Sequence, residues 1–138
     1  MAEDLCNADT RYIFELIQNA EDNRYTIAER NYCELFLHFT LHQDRLTVDS
    51  NEDGFTKADV HAICSIHRSS KKQQDGYIGH KGIGIKSVFK IAYNVCIQSG
   101  PFSFYFKYRR GDGGLAMITP YNQAPQELPS SIRTRITL

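Results

Sequence analysis

Residues 79–89 read Gly-His-Lys-Gly-Ile-Gly-Ile-Lys-Ser-Val-Phe, and they place three glycines directly before an apolar segment that is compatible with a helix. Glycine lets backbone N–H groups turn inward at φ angles that other residues avoid, and a helix N-terminus adds a partial positive charge. Together these features form a site for phosphate oxygens. Many glycine-rich turns before helices are only turns, so this segment alone is weak evidence for phosphate binding.

The composition is that of an ordinary globular domain. The chain has 138 residues, enough for one hydrophobic core, and Lys plus Arg equals Asp plus Glu at 16 each. With no net charge, no long-range attraction draws it to nucleic acid or to an anionic membrane. Its four cysteines lack a C-x-x-C pair, which favours reduced thiols over a metal or redox site. Since no membrane-length apolar run or signal peptide is visible, we expect an intracellular protein, cytoplasmic or nuclear, without nucleic-acid or membrane partners.

Local patterns predict helices early in the chain and mostly strands later. Predicted helices cover residues 11–23 after a cap at Asp9-Thr10, 57–66 after a cap at Thr56, and 85–90. Predicted strands cover 32–41, which is also compatible with a helix, 45–48 after a tight turn, 93–98, 102–108, 115–119 and 133–138. Residues 68–76 are predicted to form a mobile loop, and the proline-rich stretch 119–131 an irregular connection. This order predicts an α+β two-layer sandwich, with helices on one face of a mixed, mostly antiparallel sheet.

The first predicted helix carries polar residues on one stripe. Glu15, Asn19 and Asp22 lie at i, i+4 and i+7, roughly opposite an apolar arc formed by Ile13, Leu16, Ile17 and Ala20. Such a stripe usually faces water. If it lines a cleft instead, an amide oxygen suits a hard divalent cation and a carboxylate can accept a proton from an attacking water.

Three motifs occur in a recognisable order: residues 15–22 (Glu-Leu-Ile-Gln-Asn-Ala-Glu-Asp), the turn 51–55 (Asn-Glu-Asp-Gly-Phe) and the glycine run 79–84. Their order and spacing resemble the nucleotide-binding domain of the GHKL superfamily, the Bergerat fold of DNA gyrase, the ninety-kilodalton heat-shock chaperones, histidine kinases and MutL. Residues 11–23, 62–66 and 77–89 most resemble the chaperone-like ATPase domains of sacsin and the NO VEIN family. The resemblance covers nearly all of residues 1–138, as one domain of what we expect to be a longer protein.

This resemblance implies an ATP- and Mg²⁺-binding domain with slow or partner-dependent hydrolysis and a nucleotide-gated lid at residues 68–78. Glu15 would be the general base that orients the attacking water, Asn19 would bind Mg²⁺, and Asp22 would lie near the nucleotide's sugar. Main-chain N–H groups of a further set would contact the phosphates: Gly79, Gly82, Ile83, Gly84 and Ile85. Thr134, in the last strand, would join the adenine network. The protein's partners would be the nucleotide and an unknown protein or further domains of the same chain.

Two cations have weaker assignments. Arg68 matches a position that is often basic and can approach phosphate, but a solvated loop arginine fits equally well. Lys86 is a further phosphate candidate, for which a surface lysine in the first turn of a helix is the alternative.

The second motif departs from the superfamily pattern D-x-G-x-G, whose aspartate accepts a hydrogen bond from the adenine amino group. Residues 49–54 read Asp-Ser-Asn-Glu-Asp-Gly, so an ungapped match ending at Gly54 puts Ser50 at the aspartate position and Glu52 at the first glycine. A one-residue insertion puts Asp49 there instead, and the resemblance then makes Asp49, Asn51 and Gly54 the nucleotide-binding residues of this motif. The NO VEIN-like group also has Asn-Glu before Gly-Phe. A degenerate fold that acts as a non-catalytic interaction module is therefore the alternative, whereas a histidine kinase is disfavoured by the chaperone-like Glu15–Asn19 spacing.

Overall fold

The computed structural model describes residues 11–64, 94–107 and 119–138. The helices among them are α1 (Arg11–Asp22), α2 (Thr26–Arg30) and α3 (Lys57–Cys64). The strands are β1 (Leu37–Leu41), β2 (Leu46–Ser50), β3 (Asn94–Ser99), β4 (Phe102–Lys107), β5 (Thr119–Asn122) and β6 (Thr134–Thr137). The predicted cap at Asp9-Thr10, the loop at 68–76 and the helix at 85–90 lie outside the described residues.

The strands form one open six-stranded sheet in the order β1-β2-β6-β3-β4-β5. Every pairing between described strands is antiparallel, so the mixed sheet that we expected is wrong for this part of the chain. Short connections explain two of the five pairings, because β1–β2 and β3–β4 are hairpins and a parallel pair needs a long crossover. The last strand, β6, lies between β2 and β3 and pairs with both.

One face of the sheet carries the hydrophobic core. Val48, Ile136, Ile97 and Phe104 lie opposite one another along a single row of paired positions. Leu16 of α1 and Ile63 of α3 belong to the same buried cluster, so these helices pack against this face. The chain is therefore α+β, with alternating residues of each strand facing the helices.

Helix α1 matches its predicted range closely, but its apolar arc is only partly buried. Leu16 and Ala20 are buried, whereas Ile17 is 44% exposed and Phe14 is 69% exposed. Ile17 belongs to the apolar arc of the sequence pattern but lies outside the packed side of the helix, which is centred on Leu16 and Ala20. Helix α3 begins as predicted: the Thr56 N–H donates to Asp59 Oδ2 at 2.7 Å, and the Asp59 N–H donates to Thr56 Oγ1 at 3.2 Å.

Helix α2 was not predicted, and the strand predicted at 32–41 begins only at Leu37. The N-cap residue of α2, Tyr25, makes no capping bond with its own side chain. The carboxylate of Asp53 caps the helix instead, accepting bonds from the Ile27 N–H at 3.0 Å and from the Thr26 hydroxyl. A cap supplied from 26 residues away leaves no local signal in the sequence.

Strand β5 occupies the start of the stretch 119–131, which we expected to be wholly irregular. Pro120 is tolerated there because β5 is an edge strand of the described sheet and has no outer neighbour that needs its missing N–H. Residues 123–131 are irregular, as predicted. The Gln98 side chain holds this stretch through two bonds to the Gln126 backbone, at 2.6 and 2.9 Å.

Asn51 fixes the chain that leads into β1. Its Oδ1 accepts a bond from the Phe36 N–H at 3.0 Å, and its Nδ2 donates to the Glu34 carbonyl at 2.8 Å. The asparagine is only 6% exposed, so its amide replaces water for these backbone groups.

We expect Asn51→Ala to lower the free energy of unfolding by about 1–2 kcal/mol, because the partly buried Phe36 N–H loses its acceptor. Asn51→Asp keeps that acceptor but sets a buried carboxylate oxygen against the Glu34 carbonyl, so its loss should be at least as large. The exposed Asn31→Ala is the control, with an effect within about 0.5 kcal/mol. Urea unfolding followed by circular dichroism measures all three variants. Equal midpoints for Asn51→Ala and Asn31→Ala would contradict the role assigned to Asn51.

Candidate functional site

The turn that follows β2 binds three different parts of the fold through three consecutive side chains. Asn51 holds the segment before β1, Glu52 reaches β6, and Asp53 caps α2. Asp53 also donates its own N–H to the Arg24 carbonyl at 2.9 Å. The turn therefore positions the second motif against both the sheet and the segment after α1.

Glu52, Ser99 and Thr134 form a buried polar group that we call the carboxylate cluster. The Thr134 hydroxyl donates to Glu52 Oε1 at 2.8 Å, and its oxygen lies 2.7 Å from Ser99 Oγ. Because the single hydroxyl proton of Thr134 is directed at the carboxylate, Ser99 must donate to Thr134. Ser99 in turn accepts the Phe55 N–H at 2.7 Å. The result is a directed chain of hydrogen bonds that ends on the Glu52 carboxylate and compensates part of the cost of burying it.

Gly54 is required where the turn approaches Ser99. Its φ is +95°, and a Cβ built there would lie 3.3 Å from Ser99 Oγ. Other residues rarely adopt this φ, and the added carbon would press on the hydroxyl that receives the Phe55 N–H. The predicted site residue Gly54 therefore lies next to the carboxylate cluster, where only glycine fits without displacement.

Tyr25 follows α1 and bonds back to its C-terminal part, within electrostatic range of Glu52. Its hydroxyl donates to the Ala20 carbonyl at 2.8 Å. Burial, and secondly the charge of Glu52, raise the pKa of the Tyr25 phenol above its usual value. The phenol thus lies between the C-terminal part of α1 and Glu52.

The polar stripe of α1 lies partly at the edge of the buried surface. Glu15 and Asn19 are half-buried, whereas Asp22 is exposed. Glu15 and Asn19 flank the side of α1 that buries Leu16 and Ala20, which accounts for their partial burial, and their position beside a ligand stays a prediction. These two side chains carry the oxygen donors that Mg²⁺ prefers.

Asp49 lies on the opposite face of the sheet from the carboxylate cluster. Its carboxylate makes a two-pronged ion pair with Arg135, at 2.7 Å to Nε and 2.8 Å to Nη2. These bonds raise the pKa of Arg135, although burial acts in the other direction. In the paired strands Asp49 lies opposite Arg135, while Ser50 lies opposite Thr134. The structure therefore brings Glu52, and not Asp49, together with Thr134.

Our sequence interpretation placed Glu52 at a glycine position and gave it no role. The only signal for it was the Asn-Glu pair before Gly-Phe, which the NO VEIN-like group shares. Ser99 carried no signal, because its contact with Thr134 joins residues 35 positions apart in the chain.

The predicted phosphate-binding residues lie outside the described part of the chain: Arg68, Gly79, Gly82, Ile83, Gly84, Ile85 and Lys86. Their roles stay predictions. Within residues 11–64, 94–107 and 119–138, no three His, Cys, Asp or Glu side chains group closely enough to hold a metal ion. In the same residues, no helix combines the length and the apolarity needed to cross a bilayer.

Comparison with known proteins gives one informative similarity. No protein-family model matches the chain. The chain is 36% identical over 130 residues to the protein NO VEIN of Arabidopsis thaliana, which covers 94% of this chain and 4% of that protein. This similarity supports the NO VEIN part of the resemblance predicted from the motifs. The similarity therefore concerns a small part of that relative's length.

We expect Gly54→Ala to lower the free energy of unfolding by about 2–3 kcal/mol, because it combines backbone strain with displacement of Ser99. Gly100→Ala is the matched control. Gly100 also has a positive φ, +53°, but a Cβ there meets nothing within 4 Å, so about 1 kcal/mol of strain should be the whole cost. Urea unfolding compares the two. A larger loss for Gly100→Ala would show that the approach to Ser99 is unimportant.

Proposed function

We propose that this chain is a chaperone-like nucleotide-binding domain of the GHKL type, which binds ATP with Mg²⁺ and hydrolyses it slowly or only with a partner. The observation that carries the proposal is the contact between Glu52 and Thr134 on the helix-facing side of the sheet. The family resemblance assigns an aspartate of the second motif and the threonine of the last strand to the adenine network, and here a buried glutamate of that motif bonds the threonine.

The architecture is compatible with this proposal. A Bergerat fold is a two-layer sandwich in which helices cover one face of a sheet, and α1 and α3 pack here on one face of a six-stranded sheet. The strand that carries Thr134 is central in the described sheet, so its hydroxyl lies within the protein and not at an edge.

Glu52 replaces the aspartate of the superfamily pattern in this proposal. An ionised carboxylate can accept about four hydrogen bonds, so the bond from Thr134 does not exhaust its capacity. Its longer side chain lets it reach Thr134 from a position two residues later than Ser50, which occupies the ungapped aspartate position. A base with an exocyclic amino group, such as adenine, would donate to this carboxylate.

Glu15 and Asn19 would serve the phosphate end of the nucleotide. Both are half-buried on α1, and both offer the oxygen ligands that fit a hard divalent cation, with Asn19 as the ligand by resemblance. When bound, Mg²⁺ would supply positive charge that neutralises the phosphates. Glu15 would hold the attacking water and accept its proton.

The segment at 68–78 would close over the nucleotide as a lid. Closure of this kind excludes water and lets a larger assembly sense whether nucleotide is bound. Arg68 and the glycine run would complete the phosphate contacts.

A second candidate function is a non-catalytic interaction module that keeps the fold. This alternative is favoured because the residues of the carboxylate cluster bond to one another and are almost fully buried. Glu52, Ser99 and Thr134 are each exposed by 3% or less. Such a cluster can join β2, β3 and β6 without any ligand.

We expect calorimetric titration with ATP to show binding that is stronger with Mg²⁺ than with EDTA. Asn19→Ala should abolish this difference, because the amide oxygen is the proposed ligand. Glu15→Gln should keep the affinity and lose any slow hydrolysis, measured as released phosphate. Gln18→Ala, an exposed neighbour on the same helix, is the control and should resemble the unchanged chain.

Two results would contradict the nucleotide proposal. One is the absence of heat at millimolar ATP together with a melting temperature that ADP, ATP and Mg²⁺ leave unchanged, since a ligand that binds the native state must stabilise it. That outcome would leave the interaction module. The other is unchanged Mg²⁺ dependence in Asn19→Ala, which would show that the stripe on α1 is a wet helix surface.

We expect Glu52→Gln to weaken ATP binding by about 10–100-fold, because the amide places a donor where the base amino group needs an acceptor. Inorganic tripolyphosphate, which has no base, should bind both forms equally. Asp49→Asn should leave ATP affinity unchanged, because that carboxylate bonds Arg135 on the other face of the sheet. Calorimetry at a temperature where circular dichroism shows both variants folded makes the comparison. A loss confined to Asp49→Asn would restore Asp49 as the residue that recognises the base.

A further inference from the structure

The two edges of the described sheet differ in how well they are protected from pairing. Strand β5 contains Pro120, which lies opposite Phe106 and has no N–H to offer a further strand. Strand β1 reads Leu-His-Phe-Thr-Leu and contains no proline, glycine, lysine or acidic residue. Natural proteins usually block exposed edges with such residues, so β1 lacks the ordinary protection against an added strand.

The outward backbone groups of β1 can be identified from the hairpin. The His42 N–H donates to the Arg45 carbonyl at 2.8 Å. Antiparallel pairs alternate between bonded and non-bonded positions, so His38 and Thr40 direct their backbone groups at β2. Leu37, Phe39 and Leu41 direct theirs away from the sheet, where no other described strand lies.

The side chains of β1 are arranged almost symmetrically about Phe39. Leucines stand two residues away on either side, at Leu37 and Leu41, and all three share the helix-facing side of the strand. Leu41 is 83% exposed, an unusual position for a leucine in a strand. The nearest charged residues, Glu34 and the ion-paired Asp44, lie beyond the strand ends.

We propose that β1 pairs with β1 of a second copy of this chain, antiparallel and centred on Phe39, so that one sheet continues through both copies. In this register Phe39 lies opposite Phe39 of the second copy, and Leu37 lies opposite Leu41. Residues whose backbone groups face away from β2 then lie opposite equivalent residues of the second copy, and each such pair exchanges two N–H···O bonds.

The register follows from parity and symmetry. A shift of one residue would set groups that face β2 against groups that face outward, and would put apolar side chains on the polar side. A shift of two residues would still set outward backbone groups opposite outward backbone groups, but it would leave one leucine of each strand outside the paired region. A twofold axis at Phe39 also makes the contact self-complementary, as an isologous dimer requires.

The dimer is expected to be weak. A pairing of five residues buries far less than the roughly 1,600 Å² of a standard stable interface. Self-association should therefore depend on protein concentration, and it should depend little on salt because β1 carries no charge.

Disulfide trapping tests both the partner and the register. In the proposed pairing, His38 lies opposite Thr40 of the second copy as a close non-bonded pair, within the geometry that a disulfide accepts. His38→Cys and Thr40→Cys are made as separate variants, with Cys6→Ser and Cys33→Ser in both. An equimolar mixture should give a cross-linked dimer under mild oxidation, whereas each variant alone should give at least tenfold less.

Sedimentation equilibrium provides an independent measurement. Leu41→Lys should raise the dimer dissociation constant at least tenfold, because it places a charge beside Leu37 of the second copy. Asn122→Lys adds the same charge to the other edge strand and should change nothing. A chain that stays monomeric at all concentrations, or cross-linking that is equal in the mixture and in either single variant, would overturn the proposal. So would a chain that accepts an added extended peptide at β1 but never pairs with itself.

Discussion

The hydrogen bond from Thr134 to the Glu52 carboxylate is the interaction on which the rest of the described fold depends. It ends a chain of donors that begins at the Phe55 N–H and passes through Ser99, so it fixes the second motif against β3 and β6 together. The two bonded residues are 82 positions apart in the sequence. A carboxylate with almost no exposure is tolerated only where hydrogen bonds replace its hydration. The stability of this region and its suitability for a ligand therefore rest on the same few polar atoms.

The turn at 51–54 extends this constraint to the remaining elements. Asn51 and Asp53 lie on either side of Glu52, and they hold the segment before β1 and the start of α2. Because three consecutive side chains bind three distant segments, the turn cannot shift by one residue without losing all of the contacts. Gly54 completes it by allowing the backbone to approach Ser99 closely. A site built in this way is rigid before any ligand arrives, which lowers the cost of ordering it on binding.

The sequence predicted the elements whose determinants are local. Helix α1, the hairpin of β1 and β2, and the capped start of α3 follow from periodicity and from residues within a few positions of one another. Helix α2 was missed because Asp53, far along the chain, supplies its cap. The candidate site was only half predicted: Thr134 was assigned by resemblance, whereas Glu52 was not, because its partner is a residue of a distant strand. The same strand alternation that faces Ser50 toward Thr134 turns Asp49 to the other side of the sheet.

The position of β6 has a consequence for how the protein is made. This strand follows the other described strands in sequence, yet it lies between β2 and β3 and is the element that joins them in the described sheet. During translation the hairpin of β1 and β2 leaves the ribosome early, and β3 to β5 follow as a separate antiparallel unit. Until residues 134–137 emerge and insert between these two units, β2 and β3 each have one edge without a paired strand in the described sheet. Nascent chains of this fold are therefore most vulnerable to misassembly just before β6 emerges, when molecular chaperones have most reason to hold them.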